Sequence, residues 1–259
     1  MTGTKTNTPI METPQAISVV GAEEIRDQHP ANLAEALRYA PGVNAQFFGA
    51  DVRNDWFKIR GFDAQDVGFF MDGLQLFSTA FATWKLQPWG LERIDILRGP
   101  SAVLYGGSGP GGIINAISKV PSATPSNTIE AGVNSFGNAY TAFDFTGPFM
   151  TANGPSNEFY YRVLGSVKNG ETQTAFTPDN SYFIAPSFTY QPDLDTKFTV
   201  LASATKYQTR AQNFLPYIGT VVNAPFGRIP TSLFTGDPNT DKFQREQEMI
   251  GYQFEKNLT

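Results

Sequence analysis

The sequence predicts a small α+β domain followed by the first strands of a transmembrane antiparallel β-barrel. Residues 1–121 mix short strand signals with one well-formed helix signal, which is typical of an α+β domain. Residues 122–127 are rich in Ser, Thr and Pro and are interpreted as a linker. Over 128–259, apolar residues alternate with polar ones, which is the period of strands with one apolar face.

The composition excludes several classes of function. The chain has 259 residues with 19 Lys plus Arg against 24 Asp plus Glu, a formal charge of −5, so it lacks the basic character that a nucleic-acid partner requires. It contains no Cys and a single His, which excludes disulfides, Cys nucleophiles and thiolate-rich or His-rich metal sites. We therefore expect no cofactor, and any iron that this protein handles must arrive already chelated.

The composition also favours a barrel over membrane helices. Aromatic residues make up 14% and charged residues 17%, yet no run approaches the roughly 18 consecutive apolar residues of a membrane helix. Barrel strands are apolar only at alternate positions, which explains this combination. A soluble β-rich binding protein has a similar composition and remains an alternative at this point. The N-terminus lacks the apolar stretch of a signal peptide, so we expect a mature or truncated start.

Two helices are predicted in the first domain. The stronger one covers 32–40, where Asn32 can cap the helix, Glu35 follows three residues later and the apolar residues fall on one face. A Pro-Gly pair then ends it. The weaker one covers 22–28 and ends near His29, which we interpret as a loop residue.

The first domain also contains strand and turn signals. The predicted strands lie at 17–20, 57–60, 67–71, 93–97 and 113–117. Asp72-Gly73 separates two apolar runs and predicts a tight turn. Residues 107–112 formally match the G-x-G-x-x-G pattern of dinucleotide-binding enzymes. A proline inside this match, a strand signal after it and the lack of a βαβ repeat argue for a simple glycine turn instead.

Six longer strands are predicted in the second part, at 128–137, 139–147, 158–168, 181–191, 196–207 and 246–257. Their lengths suit the roughly 9–11 residues that cross a bilayer at a tilt. The connections at 147–157 and 191–195 are compact, whereas 208–245 is long, as in outer-membrane barrels. A membrane barrel needs about eight strands, and an open edge in lipid leaves backbone groups unpaired. We therefore expect the chain to be a fragment.

A series of motifs carries a family resemblance along the whole chain. In order they are TPQAISVV (13–20), ALRYAPGV (36–43), IRGF (59–62), MDGL (71–74), LERIDILRGPSAVLYG (91–106), PGGIIN (110–115) and SK (118–119). In this order and spacing they resemble the plug domain of TonB-dependent siderophore receptors. Two later segments, Pro230-Thr231 and REQEMIGY (245–252), are most similar to the ferrichrome-type hydroxamate receptors.

The resemblance implies a fold and a mode of action. It implies a barrel of about 22 strands whose lumen holds the N-terminal plug, with 1–121 as the plug and 128–259 as the first six strands. It implies a monomer in the outer membrane of a Gram-negative bacterium, in contact with outer-membrane lipid. It also implies that a ferric siderophore binds at the extracellular top, and that TonB pulls on a TonB box, which we do not see in this chain. The resemblance implies no covalent chemistry on the cargo, so we expect that the protein is not an enzyme.

The resemblance also points to candidate ligand-binding residues, which are aromatic. They are Phe47, Phe48, Trp56, Phe81, Trp84 and Phe214. Phe81 matches a ligand-contacting tyrosine of ferrichrome-type receptors and Phe214 a tryptophan, but Phe48 matches a ligand-binding arginine. The neighbouring apex is shortened to 64–68. We therefore expect a hydroxamate siderophore of a different shape from ferrichrome.

Two arginines match a plug–barrel lock of the family. Arg60 and Arg98 each follow a strand signal and precede a glycine. In the family, arginines at these positions pair with barrel glutamates, a role that suits a permanently charged, bidentate guanidinium. The matching glutamates are expected beyond Thr259.

Other cargoes and classes remain as alternatives. The plug motifs do not separate a hydroxamate from a catecholate siderophore, haem, cobalamin or a sugar. A passive porin is disfavoured because porins lack a separate α+β domain at residues 1–121.

Overall fold

The computed structural model describes residues 2–6, 8–100, 102–212 and 214–257, with Ala102 described by its backbone alone. The chain divides into two units, Met1–Lys119 and Val120–Thr259. This division falls two residues before the predicted end of the first domain. The first strand of the second unit starts at Ser126, inside the predicted linker at 122–127.

A five-stranded sheet forms the core of the first unit. The strands of this unit are β1 (Ala16–Gly21), β2 (Val43–Asn44), β3 (Lys58–Ile59), β4 (Phe62–Asp63), β5 (Phe69–Met71), β6 (Leu74–Gln75), β7 (Leu91–Arg98) and β8 (Gly112–Ser118). The order across the main sheet is β1-β7-β8-β5-β6, with only the β5–β8 pair parallel, and β2-β3-β4 form a separate small sheet. Nearly all residues of β8 are buried, as expected of a strand covered on both sides, whereas β7 combines a buried apolar core with four charged residues, of which Asp95 alone is buried.

The helices of the first unit are short. They are α1 (Ala22–Gln28), α2 (Leu33–Ala36) and α3 (Ala102–Tyr105), with single 3-10 turns at Ile10–Glu12 and Pro88–Gly90. The cap of α2 is confirmed, because the Asn32 side chain accepts a hydrogen bond from the Glu35 N–H at 2.9 Å. The predicted extent to residue 40 is wrong, since Leu37 leaves helical geometry and the chain continues as turns. None of the described helices is long and apolar enough to cross a membrane.

Several predicted bounds are wrong. The strand predicted at 57–60 has only two residues, because Arg60 and Gly61 both have positive φ and turn the chain into β4. The strands predicted at 93–97 and 113–117 are longer, as β7 and β8 show. The loop assignment of His29 is confirmed: it is an exposed residue just after α1, where it caps the helix end with φ of +44°. The sequence pattern missed α3.

The predicted turn at Asp72-Gly73 is confirmed. Both residues have positive φ, as a two-residue hairpin turn of this type requires, and Met71 pairs with Leu74 across it. The Asp72 carboxylate accepts hydrogen bonds from the N–H and hydroxyl of Ser118, at 2.9 and 2.6 Å. Burial raises the pKa of Asp72, while the bonds from Ser118 and the charge of Arg93 oppose this shift.

The N-terminal segment is held in a buried polar network of the first unit. The Thr2 hydroxyl donates to a carboxylate oxygen of Asp95 and accepts from the side-chain amide of Asn115 at 2.9 Å. The Tyr105 hydroxyl donates to the Thr2 carbonyl at 2.8 Å, and the Lys5 ammonium lies 4.6 Å from the centre of the Tyr105 ring. Burial raises the pKa of Tyr105, which keeps its hydroxyl protonated as a donor.

The second unit is one antiparallel sheet of six strands in sequence order. All six predicted strands are present, but their ends differ by up to four residues. The connection predicted at 147–157 shrinks to two residues, because the strands on both sides continue toward it. The strands are β9 (Ser126–Val133), β10 (Ala139–Thr151), β11 (Gly154–Asn169), β12 (Asn180–Tyr190), β13 (Thr196–Thr209) and β14 (Phe243–Lys256).

The two faces of this sheet differ in chemistry. One face carries aromatic and aliphatic side chains, many of them exposed, such as Ile250 at 83% and Tyr252 at 74%. Near the short turns its rings contact one another in the pairs Phe149–Tyr161, Phe159–Tyr190 and Phe198–Tyr252. The other face is polar and includes the hydroxyl pair Thr189–Thr199 at 2.9 Å. An apolar face with an aromatic belt is typical of strands that face lipid.

The predicted linker is pinned to the polar face of this sheet. Asp144 and Arg162 form a bidentate ion pair with both N–O distances at 2.7 Å. The same guanidinium donates to the Val120 carbonyl at 2.9 Å. The Thr146 hydroxyl accepts from the Ser122 N–H at 2.9 Å. The Arg162 guanidinium therefore holds Val120, just before the predicted linker, and Thr146 holds Ser122, the first residue of the linker.

The glycine-rich stretch serves backbone packing. A Cβ at Gly111 would overlap the Ile59 carbonyl, and one at Gly112, where φ is +127°, would overlap the Leu97 carbonyl. No helix follows the stretch, because β8 starts at Gly112 itself. The strand that follows the stretch agrees with the simple-turn interpretation, whereas the close approach of Gly111 and Gly112 to β7 and the β3–β4 turn was not predicted.

We predict that Gly112→Ala destabilises the protein by about 3 kcal/mol or more, because the added methyl group meets backbone that cannot move aside. Gly107→Ala is the matched control, since a Cβ there meets nothing within 4 Å, and its effect is expected within about 1 kcal/mol. Unfolding by urea, followed in detergent on the complete protein, measures both. Equal effects of the two substitutions contradict the packing argument.

Candidate functional site

Four of the six predicted ligand-binding aromatics form one cluster in the first unit, which we call the aromatic cluster: Phe47, Phe48, Trp56 and Phe81. The ring centres of Phe47 and Phe48 are 4.3 Å apart. Trp56 lies edge-on to Phe48 at 5.6 Å and to Phe81 at 5.8 Å. Such edge-on pairs are favourable, because the positive edge of one ring meets the negative face of the next. Phe48 is 47% exposed and Phe81 54%, so the cluster offers apolar surface to a ligand.

Tight turns place these rings. Phe47 and Phe48 occupy the two central positions of a turn closed by the Gly49 N–H donating to the Gln46 carbonyl at 2.9 Å. Phe81 lies at the tip of a turn in which Thr79 and Ala82 exchange backbone hydrogen bonds. Ala80 has φ of +50° in this turn, an unusual conformation for a residue with a Cβ. The turns therefore keep the bulky rings of Phe48 and Phe81 at the surface.

A cation lies against each end of the aromatic cluster. The Arg53 guanidinium is 5.5 Å from the centre of Phe81, and the Lys58 ammonium is 4.7 Å from the centre of Phe47. Each is paired with a nearby carboxylate. Arg53 binds Asp51 through Nε and Nη2, the latter at 2.7 Å, and Lys58 lies 3.3 Å from Asp63. The prediction missed these four residues, although the Asp-x-Arg spacing of 51 and 53 was a visible signal.

A buried polar layer supports the aromatic cluster from within the same unit. Thr83 donates to the Asn54 side-chain oxygen at 2.7 Å, and the buried Lys85 ammonium donates to the Val52 carbonyl. Within the described residues, the buried amide of Gln65 has no hydrogen-bond partner at either atom, and neither does the Trp56 indole N–H. Unsatisfied buried groups cost about 1–3 kcal/mol each and are concentrated at functional sites.

The other two predicted aromatics are not among the rings that form this cluster. Trp84 donates its indole N–H to the Phe77 carbonyl at 3.0 Å, and among the described residues its ring contacts none of the four. Phe214 belongs to the second unit, in the connection between β13 and β14, and is 79% exposed. Asn213, beside it, lies outside the described residues. Their part in ligand binding stays a prediction.

Arg60 and Arg98 lie beside one another, on either side of Gly42. A Cβ on Gly42 would lie 3.6 Å from the Arg98 Nε and 3.9 Å from the Arg60 Cγ. Arg98 donates to the Pro41 carbonyl at 2.8 Å and to the Ser18 hydroxyl. Within the described residues neither guanidinium pairs with a carboxylate. Burial, and then the charge of Arg60, lower the pKa of Arg98.

Arg60 has φ of +51°, a conformation that is strained for a residue with a long side chain. Two like charges are therefore held side by side, one of them on a residue with positive φ. The structure thus brings the two predicted lock residues together. In the described part of the chain, no group of three or more His, Cys, Asp or Glu side chains is placed to hold a metal ion.

Comparison with known proteins identifies the family. The model of the TonB-dependent receptor plug domain matches residues 9–113, which include the aromatic cluster and both arginines. Over 98% of its length the chain is 38% identical to the ferrichrome outer membrane transporter/phage receptor of Escherichia coli K12. The chain belongs to the TonB-dependent siderophore receptors. The chain is therefore located in the outer membrane of a Gram-negative bacterium. It comprises a plug domain and the first strands of the barrel.

Further similarities agree with this family. The receptor is 33% identical to the ferrioxamine receptor of Yersinia enterocolitica over 97% of this chain. Its fold matches the crystal structure of the ferric-catecholate import receptor Fiu of Escherichia coli K12, in the closed form, with a TM-score of 0.85, 22% identity and 98% of this chain covered. The chain spans only 34%, 35% and 36% of the ferrichrome, ferrioxamine and Fiu receptors.

We predict that Thr83→Val destabilises the receptor by about 1–3 kcal/mol, because a buried hydrogen bond between Thr83 and the Asn54 oxygen is lost while the shape of the side chain is kept. Thr79→Val, an exposed position in the neighbouring turn, is the control, and we expect a change within about 0.5 kcal/mol. Chemical unfolding of the complete receptor in detergent gives both values. An unchanged stability for Thr83→Val means that the polar layer does not support the site.

Proposed function

We propose that the complete receptor binds a ferric siderophore of the hydroxamate type and imports it into the periplasm with energy transduced by TonB. The chain covers about a third of the relatives, so the activity of the whole protein is inferred from this part. The observation that carries the proposal is the exposed aromatic cluster, whose adjoining cations are both neutralised. The relatives named for ferrichrome and ferrioxamine add support.

Charge separates the siderophore classes. Three singly charged hydroxamates neutralise Fe(III), whereas three doubly charged catecholates leave the complex strongly anionic. A site for the anionic complex needs free cations, since carboxylates beside it repel the ligand. Arg53 and Lys58 are instead paired with Asp51 and Asp63. This arrangement favours an uncharged or cationic chelate with an apolar outer surface.

Aromatic rings suit such a chelate for a second reason. Burying an exposed Phe side chain against an apolar ligand contributes about 1.5–3 kcal/mol, and ring faces attract cationic groups. Phe48 and Phe81 are both exposed enough to supply this contact. Haem, cobalamin and sugars are the alternative cargoes, and each is distinguished by direct titration.

Import leaves the cargo covalently unchanged, so in this proposal the receptor is a transporter and not an enzyme, and it holds no cofactor of its own. The apolar face of the six-stranded sheet contacts outer-membrane lipid. TonB acts from the periplasmic side through a segment near the N-terminus, and the receptor works as a monomer.

The ligand-binding test uses substitutions in the aromatic cluster. We expect Phe81→Ala and Phe48→Ala to weaken binding of a ferric hydroxamate about tenfold each, through lost apolar contact. Phe214→Ala tests the second-unit residue in the same way. Phe149→Ala, on the lipid-type face of the sheet, is the matched control with no expected change. Fluorescence quenching of the complete receptor by ferrichrome, ferrioxamine, a ferric catecholate and cobalamin gives the affinities.

Tight saturable quenching by a hydroxamate alone supports the proposal. Tight binding by the catecholate or cobalamin alone overturns the hydroxamate class and leaves the family unaffected. Unchanged hydroxamate affinity in both Phe81→Ala and Phe48→Ala shows that the ligand binds elsewhere.

We also propose that Arg60 and Arg98 pair with barrel glutamates in the complete receptor. The two like charges lie together, and one of them is partly buried, an arrangement that carboxylate partners would stabilise. The clustering of two guanidiniums suits bidentate bonds to more than one carboxylate.

We predict that Arg98→Gln lowers the stability of the complete receptor by about 3 kcal/mol, because its carboxylate partner is left buried and unpaired. Arg38→Gln is the control, since Arg38 is an exposed helix-end residue 3.5 Å from Glu35, and such pairs contribute less than about 1 kcal/mol. Thermal unfolding in detergent compares the two. A gain in stability for Arg98→Gln shows that the like-charge repulsion is not offset and excludes the lock.

A further inference from the structure

We infer that Asp51 and Asp63 are specificity-determining residues that set the charge of the cargo. By neutralising the two cations beside the aromatic cluster, they exclude polyanionic chelates and admit uncharged or cationic ones. The inference rests on the proposed function and adds the residues responsible for its selectivity.

The first pair is rigid. The Asp51 carboxylate accepts from the Arg53 backbone N–H at 2.9 Å, from Nε at 3.0 and 3.1 Å, and from Nη2 at 2.7 Å. The Asp51 side chain is 7% exposed and that of Arg53 is 17% exposed. A fork geometry of this kind, partly removed from water, is among the stronger ion pairs. Arg53 therefore meets Phe81 as a neutralised group whose charge is not available to an anion.

The second pair has the same arrangement at the opposite end of the cluster. Lys58 and Asp63 lie across the β3–β4 turn, where they are paired residues of the two strands. The ammonium is 3.3 Å from the carboxylate and 4.7 Å from the centre of the Phe47 ring. Asp63 is 66% exposed, so water screens this pair more and its effect on selectivity is smaller.

Both pairs lie beside the surface that the cargo covers. The rings run from Phe81 through Trp56 and Phe48 to Phe47, and one cation lies against each end of this series. A cation against an aromatic ring is well placed to attract an anionic chelate that sits on the rings. Adding a carboxylate to each cation removes that attraction and leaves the ring faces, which themselves repel anions.

The experiment measures relative affinity for three chelates of different charge on the complete receptor. They are ferrichrome, which is uncharged, ferrioxamine B, which is cationic, and a ferric tricatecholate, which is strongly anionic. We expect Asp51→Asn to raise the ratio of catecholate to ferrichrome affinity about tenfold, and Asp63→Asn about threefold, at low salt. Ferrioxamine B should weaken relative to ferrichrome in both variants. Raising the salt concentration should reduce each change.

Two second-site variants separate charge from fold. Asp51→Asn combined with Arg53→Gln removes one charge of each sign and should return the ratio to that of the wild type, as should Asp63→Asn combined with Lys58→Gln. A purely structural role of the aspartates predicts no such rescue. Asp27→Asn, an exposed residue of α1, is the control for an equal change in net charge.

The outcomes are distinguishable from those of the proposed function. If wild-type receptor binds no hydroxamate, the proposed function fails, whereas the change in catecholate affinity from the wild type to Asp51→Asn and Asp63→Asn, and its reversal by the second substitution, still tests the inference. If hydroxamates bind but the ratios of Asp51→Asn and Asp63→Asn stay within twofold of the wild type, the inference is overturned. A changed ratio that the second substitution does not restore also overturns it, because charge is then not the cause.

Discussion

The close backbone approach at Gly111 and Gly112 is the constraint on which the arrangement of the first unit depends. Only residues without a Cβ allow β8 to lie against the Leu97 carbonyl of β7 and the Ile59 carbonyl of β3. β7 in turn pairs with β1, and β8 with β5, so the whole five-stranded sheet is assembled around this contact. Arg98 is the last residue of β7, and Arg60 follows β3. The same contact therefore brings both arginines to one place.

The site built on this frame combines apolar exposure with local neutrality. Exposed rings normally cost solubility, and a receptor tolerates them where a ligand covers them. Charges beside such rings act on the ligand over a short range, since screening in salt weakens them within about 8–10 Å. The carboxylates that matter most are thus the ones in direct contact with Arg53 and Lys58. In the function that we propose, selectivity for a chelate resides in the plug itself, a few residues from the rings.

Both ends of the plug sequence are held by hydrogen bonds that include a charged group. Near the N-terminus, the Thr2 hydroxyl donates to the Asp95 carboxylate, and Thr2 also bonds to Asn115 and Tyr105. At the start of the second unit, the Val120 carbonyl accepts from the Arg162 guanidinium, which is also bidentate to Asp144. Charge-assisted hydrogen bonds are roughly twice as strong as those between neutral groups, so both ends are firmly attached.

Local patterns were enough for some of these features and not for others. The Asn32 cap and the Asp72-Gly73 turn follow from nearest neighbours along the chain, and both were predicted. The length of the helix after Asn32 was not predicted, because the helix ends just before the buried Leu37 rather than at Pro41. Strand existence in the second unit followed from the two-residue period, whereas strand ends depend on pairing with neighbours.

The candidate site, too, could be predicted only in part from the sequence. The family resemblance, together with aromatic residue type, pointed to Phe47, Phe48, Trp56 and Phe81, and equally to Trp84 and Phe214, which are not part of the cluster. Their contact with one another, the pairing of Lys58 with Asp63 across a turn and the position of Arg53 on Phe81 depend on the folded chain. Short sequence motifs were enough to predict the family and the types of secondary-structure element, because element type depends mainly on local geometry. The charge balance of the site arises only when residues distant in sequence are brought within a few ångströms, because Coulomb interactions depend on distance in space.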